Sequence, residues 1–161
     1  MGDHTEAISI DFDPKVISYE KLLTYFWNGH RCQYSGMGRQ YMNAVFNQND
    51  EQKKTAETSR AKQAATLGIK ESEVKTKIIP VGQFTYAEGY HQKYYLTRQS
   101  DLRAFLEETY QNSKSLADST VATRLNAYLS SGTSRDWNGF LKELPDYGLP
   151  EKLETQVRKL A

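Results

Sequence analysis

The sequence predicts a mixed α/β (α+β) domain over residues 1–98 and an all-α extension over residues 99–161. Three observations carry this reading. The stretch AISIDF alternates with period two, the pattern of a half-buried strand. Two helix-patterned segments then alternate with short strand-like runs, RQYMNAVF and VKTKIIPV. Beyond residue 98 only helical spacing remains, with apolar residues recurring at i, i+3 and i+4.

Taken in order, AISIDF sets Ala7, Ser9 and Asp11 on one face and Ile8, Ile10 and Phe12 on the other, and Asp13-Pro14 stops it. In SYEKLLTYFWNG, Ser18 suits an N-cap, Leu22, Leu23, Phe26 and Trp27 form an apolar face, and Gly29 suits the C-terminal stop. The loop HRCQYSGMG is glycine-rich and leads into the short strand RQYMNAVF. A long, polar, alanine-bearing helix runs from Asp50 to Leu67 and ends at Gly68. VKTKIIPV supplies a third strand, and FTYAEGYHQKYYL begins extended and turns helical. SDLRAFLEETYQNS and DSTVATRLNAYLSSG open with Ser or Asp and read as helices, and the remaining residues as short helices broken by prolines.

Bulk composition excludes several classes of function. Lys+Arg 21 against Asp+Glu 20 leaves a net charge of +1, without the basic surplus that phosphate binding needs, so no nucleic acid is expected as the main partner. No stretch approaches the run of about 20 apolar residues that spans a bilayer, so no membrane partner is expected. The polar, acidic first residues are unlike a secretory signal, which predicts a cytoplasmic address with the nucleus as the alternative. Cys32 is the single cysteine, which rules out an intramolecular disulfide and a multi-cysteine zinc site. His4, His30, His91 and Cys32 match no standard ligand spacing, so no metal is expected. Eleven tyrosines, several beside glycines in YSGMGRQY and FTYAEGYHQKYY, point to a pocket lined by hydroxyl donors.

Four separated stretches, GDHTEAISIDFDP, ISYEKLLTYFWNGH, RQYMNAVF and FTYAEGYHQKYYL, stand in the order and close to the spacing of one family. Over residues 2 to about 98 the chain resembles methionine sulfoxide reductase A, the peptide-methionine (S)-S-oxide reductase family. The resemblance implies a two-layer plait, ferredoxin-like, missing its first strand and helix. It also implies thiol-dependent reduction of Met-S-sulfoxide to Met, with no bound cofactor. In the family a cysteine in a Gly-Cys-Phe-Trp motif attacks the sulfoxide sulfur, and Phe and Trp hold the methyl group. A protonated glutamate and tyrosine hydroxyls bind the oxygen, and thioredoxin or another thiol acts as external reductant. The family glutamate maps onto Glu6 and one tyrosine onto Tyr41. The chemistry suits these residue types. The sulfoxide oxygen gains negative charge as a thiolate attacks sulfur, and a carboxylic acid kept neutral in a dry pocket can donate to it and then protonate it. A phenol provides a second fixed donor.

The chain also departs from the family pattern. No Gly-Cys-Phe-Trp occurs in it, YSGMGRQY has no carboxylate where the family has an aspartate, and the distal recycling cysteines have no counterpart. The expectation is that the nucleophile, its Phe-Trp pocket and a further tyrosine precede the position where this chain starts. Met1 as an alternative start, a truncated isoform, or a start that misses upstream sequence are three readings left open. A sheet lacking an inner strand is expected to be marginal, to self-associate, or to recruit the C-terminal helices as cover.

Each candidate residue has a structural alternative. Glu6 is either the oxygen-binding acid or a solvated residue at a strand's mouth. Cys32, beside His30 and Arg31 in a loop, is either a substitute nucleophile or a reduced cysteine of ordinary reactivity. Tyr86, Tyr90 and His91 border the substrate pocket under the family reading, or else pack and order their turn. Trp137, Phe140 and Leu141 are anchors for a partner or pack against the α/β layer. Two functions follow: a peptide-methionine (S)-S-oxide reductase family protein, weakly active or inactive as this chain alone, or a non-catalytic remnant that binds a sulfoxide or a protein.

Overall fold

A computed structural model describes residues 4–130 and 136–160. Met1, whose standing as a start is raised above, lies outside them, as do Gly2 and Asp3 of the first matching stretch. The class is α+β with a helical extension. The chain divides into two compact units, Met1–Phe84 and Thr85–Ala161.

The first unit is built on a strand-helix-strand crossover. Helix α1 (Tyr19–Asn28) begins where the Ser18 hydroxyl accepts from the Lys21 N–H at 3.2 Å, and it buries Leu23 and Trp27. Strands β1 (Gly36–Met37) and β2 (Tyr41–Met42) form an antiparallel hairpin. Strand β3 (Ala44–Asn47) leads into α2 (Asp50–Leu67) and then to β4 (Lys77–Pro80), which lies parallel to β3 with Val45 opposite Ile78. Parallel pairing requires such a crossover. Helix α2 is firmly bounded. The Asn49 side chain accepts from Gln52 N–H, Asp50 and Glu51 complement the helix dipole, and Gly68 closes it at φ 66. Little apolar surface is available on α2, so contact is made through Ala56 and Ala64, whose small side chains admit close approach. The Trp27 indole N–H donates to Ser59 Oγ at 2.8 Å and pins α1 to α2. Leu23, Trp27, Cys32, Val45, Ala56, Ala64 and Val74 form this unit's core.

AISIDF differs from expectation. Residues 7–12 belong to no strand, and Ile8 is 84% exposed. Alternation assigns faces to a strand, but a strand exists only where another backbone satisfies its N–H and C=O groups. Here Ile8 and Ile10 meet solvent, and Phe12 is half-buried.

The second unit is helical: α3 (Tyr94–Thr97), α4 (Ser100–Tyr110), α5 (Ser113–Asp118), α6 (Thr120–Leu129), α7 (Trp137–Glu143) and α8 (Glu151–Arg158). Asn126 Oδ1 on α6 accepts from the N–H groups of Tyr95 and Leu96 and so caps α3 from outside it. The core centres on Leu96, Leu102, Leu106, Leu125, Phe140 and Leu144, and the Phe140 ring stacks on Tyr128 at 3.9 Å. Trp137 and Leu141 pack against the same core, so Trp137, Phe140 and Leu141 serve this unit rather than standing out as anchors. Among the described residues no helix is long and apolar enough to cross a membrane.

Burial, reinforced by the hydrogen bond its hydroxyl donates to Glu143 at 3.1 Å, pushes the Tyr147 phenol up to about 12. A raised phenol favours the neutral folded form. Its contribution is fully present below the ordinary tyrosine range and is lost as pH rises towards 12. An alkaline absorbance titration is therefore expected to show one tyrosine ionising after most others. Tyr147→Phe should remove that late step, and a titration indistinguishable from wild type would contradict the assignment.

Candidate functional site

The amino-terminal site is organised by a clasp between an extended segment and a hairpin. The Thr5 hydroxyl donates to Arg39 O at 2.9 Å, and the Glu6 N–H donates to Gln40 O at 2.9 Å. In return the Gln40 side-chain amide donates to Glu6 Oε1 at 3.0 Å. This places Glu6 beside the residue that precedes Tyr41. The hairpin is tight because glycine permits it. Gly36 has φ 84, and a Cβ there would sit 2.0 Å from Tyr41 O. Across it Gly36 faces Met42 and Met37 faces Tyr41. Asn43 anchors the hairpin, its side-chain amide donating to Tyr34 O at 2.8 Å and its carbonyl accepting from Lys77 N at 2.9 Å.

The site is open. Glu6 is exposed, Tyr41 is 53% exposed and Met37 is 72% exposed. The dry, apolar enclosure expected for a neutral carboxylic acid is not formed around Glu6 by the described residues. Their apolar side chains nearby in the sequence, Ile8 and Ile10, also face solvent.

Cys32 lies elsewhere in the unit. Expected in an accessible loop, it is 3% exposed and part of the core. The loop turns inward because the Cys32 carbonyl accepts from Lys75 N–H at 2.7 Å and Thr76 N–H at 3.3 Å, tying it to the approach to β4. His30 does not serve the thiol either. Nδ1 donates to Phe26 O at 2.8 Å, and Nε2 lies within hydrogen-bond distance of the Thr76 hydroxyl at 2.8 Å. A nucleophile requires reach as well as thiolate character, and Cys32 lacks reach.

Tyr86, Tyr90 and His91 belong to the second unit. The Tyr86 hydroxyl donates to Asp118 Oδ1 at 2.8 Å, and the Lys114 ammonium bonds Asp118 Oδ2 at 2.5 Å while lying 4.9 Å above the Tyr86 ring. The Lys114 hydrogen bond, followed by that of Tyr86, holds the Asp118 carboxyl below the usual carboxylate range, and Asp118 raises Lys114 in turn. Tyr90 is exposed and its ring lies 4.3 Å from that of His91. With Gly89, Thr97, Arg103, Glu107 and Asn112 it borders a cavity of about 390 Å³. Among the described residues no group of three or more His, Cys, Asp or Glu side chains is placed to hold a metal ion.

Gln40 was not a candidate in the sequence, and no local pattern marks it. Its role exists only because the chain 34 residues earlier returns to it.

A family model for peptide methionine sulfoxide reductase matches residues 1–123. The chain belongs to the peptide methionine sulfoxide reductase family. It is 39% identical over 131 residues to a peptide methionine sulfoxide reductase of Drosophila melanogaster, covering 81% of the chain and 51% of that protein. To peptide methionine sulfoxide reductase MsrA of Methanosarcina acetivorans it is 38% identical over 110 residues, 63% of the chain and 58% of the relative. A rice relative, peptide methionine sulfoxide reductase A5, matches at 33% over 159 residues, 93% of the chain and 61% of its own length. The chain thus spans about half to three fifths of these curated relatives. The family match runs past residue 98 and takes in α4, α5 and the first turn of α6.

The hairpin geometry of this peptide methionine sulfoxide reductase family member makes Gly36 a sharp test. Gly36→Ala adds a Cβ where the Tyr41 carbonyl stands and imposes a left-handed φ on a residue with a side chain. Amide hydrogen exchange is expected to show lost protection at Glu6 and at Asn43, whose N–H donates to Ser35 O, with α2 unaffected. Unchanged protection at Glu6 would contradict a hairpin built on Gly36.

Proposed function

We propose that this chain supplies the oxygen-binding side of a peptide-methionine (S)-S-oxide reductase acting on oxidised methionine in proteins. The observation that carries the reading is the Glu6–Gln40 clasp, which holds the carboxyl group against the hairpin whose second strand begins at Tyr41. Family membership supports it independently.

In this reading a thiolate attacks the sulfoxide sulfur and charge develops on oxygen. Glu6 delivers a proton to that oxygen, and the Tyr41 hydroxyl donates a hydrogen bond that strengthens as the charge grows. The protonated oxygen passes to the attacking sulfur as its bond to the methionine sulfur breaks, so methionine departs as the thioether and the attacking sulfur becomes a sulfenic acid. A second thiol condenses with the sulfenic acid to give a disulfide and water, and thioredoxin or a small dithiol reduces the disulfide. The exposed carboxyl becomes dry only when substrate covers it, so peptide-bound methionine suits this surface. Cys32 is buried, and the chain carries no Gly-Cys-Phe-Trp, so turnover by residues 1–161 alone is slow or absent. Such a thiol cycle belongs in a reducing compartment, with the cytoplasm as the assigned address.

Equilibrium dialysis of dabsylated Met-S-sulfoxide tests the binding step. Glu6→Ala and Tyr41→Phe, both at exposed positions, are each expected to weaken binding about tenfold, as loss of a strong hydrogen bond would. Cys32→Ser should leave both binding and dithiothreitol-driven turnover unchanged. Undiminished binding in both oxygen-side variants would overturn the reading, and turnover abolished in Cys32→Ser would establish a substitute nucleophile instead.

Self-association belongs to the same proposal. Residues 7–12 keep strand patterning outside any sheet, with Ile8 and Ile10 exposed. Sedimentation equilibrium is expected to give a mass that rises with concentration. A monomer at every concentration would contradict it.

A further inference from the structure

We propose that Met37 is a modification site, oxidised by hydrogen peroxide or a related hydroperoxide to its sulfoxide, and that the product occupies Tyr41 as a tethered pseudo-substrate. The second half rests on the oxygen-binding role given to Tyr41 above.

The hairpin presents Met37 in an unusual way. Its side chain is 72% exposed, whereas Met42, five residues on, is half-buried. Met37 and Tyr41 are direct partners across the two strands, and Gly36 and Met42 form the adjacent pair. Directly opposed residues project from the same face with Cβ atoms about 5 Å apart. Exposure follows the same division, since Met37 and Tyr41 are both exposed and Gly36 and Met42 both half-buried. The register therefore sets Met37 opposite Tyr41 with both side chains open to solvent.

Oxidation changes what this pair can do. The thioether sulfur attacks one peroxide oxygen and the O–O bond breaks. Sulfur gives up two electrons and gains the S–O bond, and the other oxygen leaves with a proton as water from hydrogen peroxide or as the alcohol from an organic hydroperoxide. The flexible apolar side chain becomes a polar one bearing a strong acceptor. That oxygen is of the same chemical kind as the one Tyr41 is proposed to bind, and its tether gives it a high local concentration. Oxidised Met37 therefore excludes an incoming sulfoxide until it is itself reduced by a peptide-methionine sulfoxide reductase, which links the availability of this surface to peroxide load.

Peroxide titration of the full chain with peptide mapping tests the first half. Met37 is expected to gain one oxygen about threefold or more faster than Met42, following thioether exposure. Equal rates, or faster modification of Met42, would overturn the site. Equilibrium dialysis of dabsylated Met-S-sulfoxide before and after oxidation tests the second half. Affinity is expected to fall about tenfold in the oxidised chain and to be unaffected in identically treated Met37→Leu, a conservative change at an exposed position. Fast oxidation with unchanged affinity would overturn the pseudo-substrate. Absence of sulfoxide binding before any oxidation would overturn the Tyr41 reading itself, while the oxidation ratio would still decide the modification site.

Discussion

The reciprocal hydrogen bonds between Glu6 and Gln40 are the constraint on which the amino-terminal site depends. Among the described residues, 4–6 have no helix or sheet to hold them, so the position of the carboxyl group rests on two bonds, with a third from Thr5 to Arg39. Exposed hydrogen bonds contribute only about 1 kcal/mol each, because water competes for the same groups. The arrangement is therefore a definite geometry with little energy behind it. It is stiffened mainly from the hairpin side, where Gly36 permits a turn that no other residue could follow without displacing Tyr41.

Separate cores shape the rest. In the first unit, apolar burial is carried by Leu23 and Trp27 on α1 and by alanines on α2, joined by the Trp27–Ser59 hydrogen bond. Such a core gains from close approach more than from bulk. In the second unit, leucines and the stacked Phe140 and Tyr128 rings give a denser helical cluster. The Arg124, Glu143 and Tyr147 side chains bind one another at its margin. These two centres of packing account for a mixed α+β class with a helical extension.

Much of this was legible from local pattern. Ser18 and Gly29 bounded α1, Asp50 to Leu67 was readable as a helix ending at Gly68, and VKTKIIPV contained β4. Capping and periodicity act over a few residues, so sequence displays them directly. What failed was non-local. AISIDF has strand alternation but no strand partner among the described residues, and Cys32 sits in an irregular loop that two β4-side amides pull inward. Family resemblance nominated Glu6 and Tyr41, whereas Gln40 emerged only from three-dimensional pairing. A hydrogen bond between residues 34 apart leaves no periodic trace.

The proposed function divides the chemistry between the oxygen and the sulfur of a sulfoxide. It gives the oxygen to Glu6 and Tyr41, while the single thiol of the chain is buried away from solvent. The most direct measurement of this account is a nuclear magnetic resonance titration with N-acetyl-methionine S-sulfoxide, following the Glu6 carboxyl carbon and the Tyr41 ring. The account predicts that both signals move together, saturate at one ligand concentration and respond weakly to the R epimer. Movement of either signal without the other, or equal response to both epimers, would contradict it.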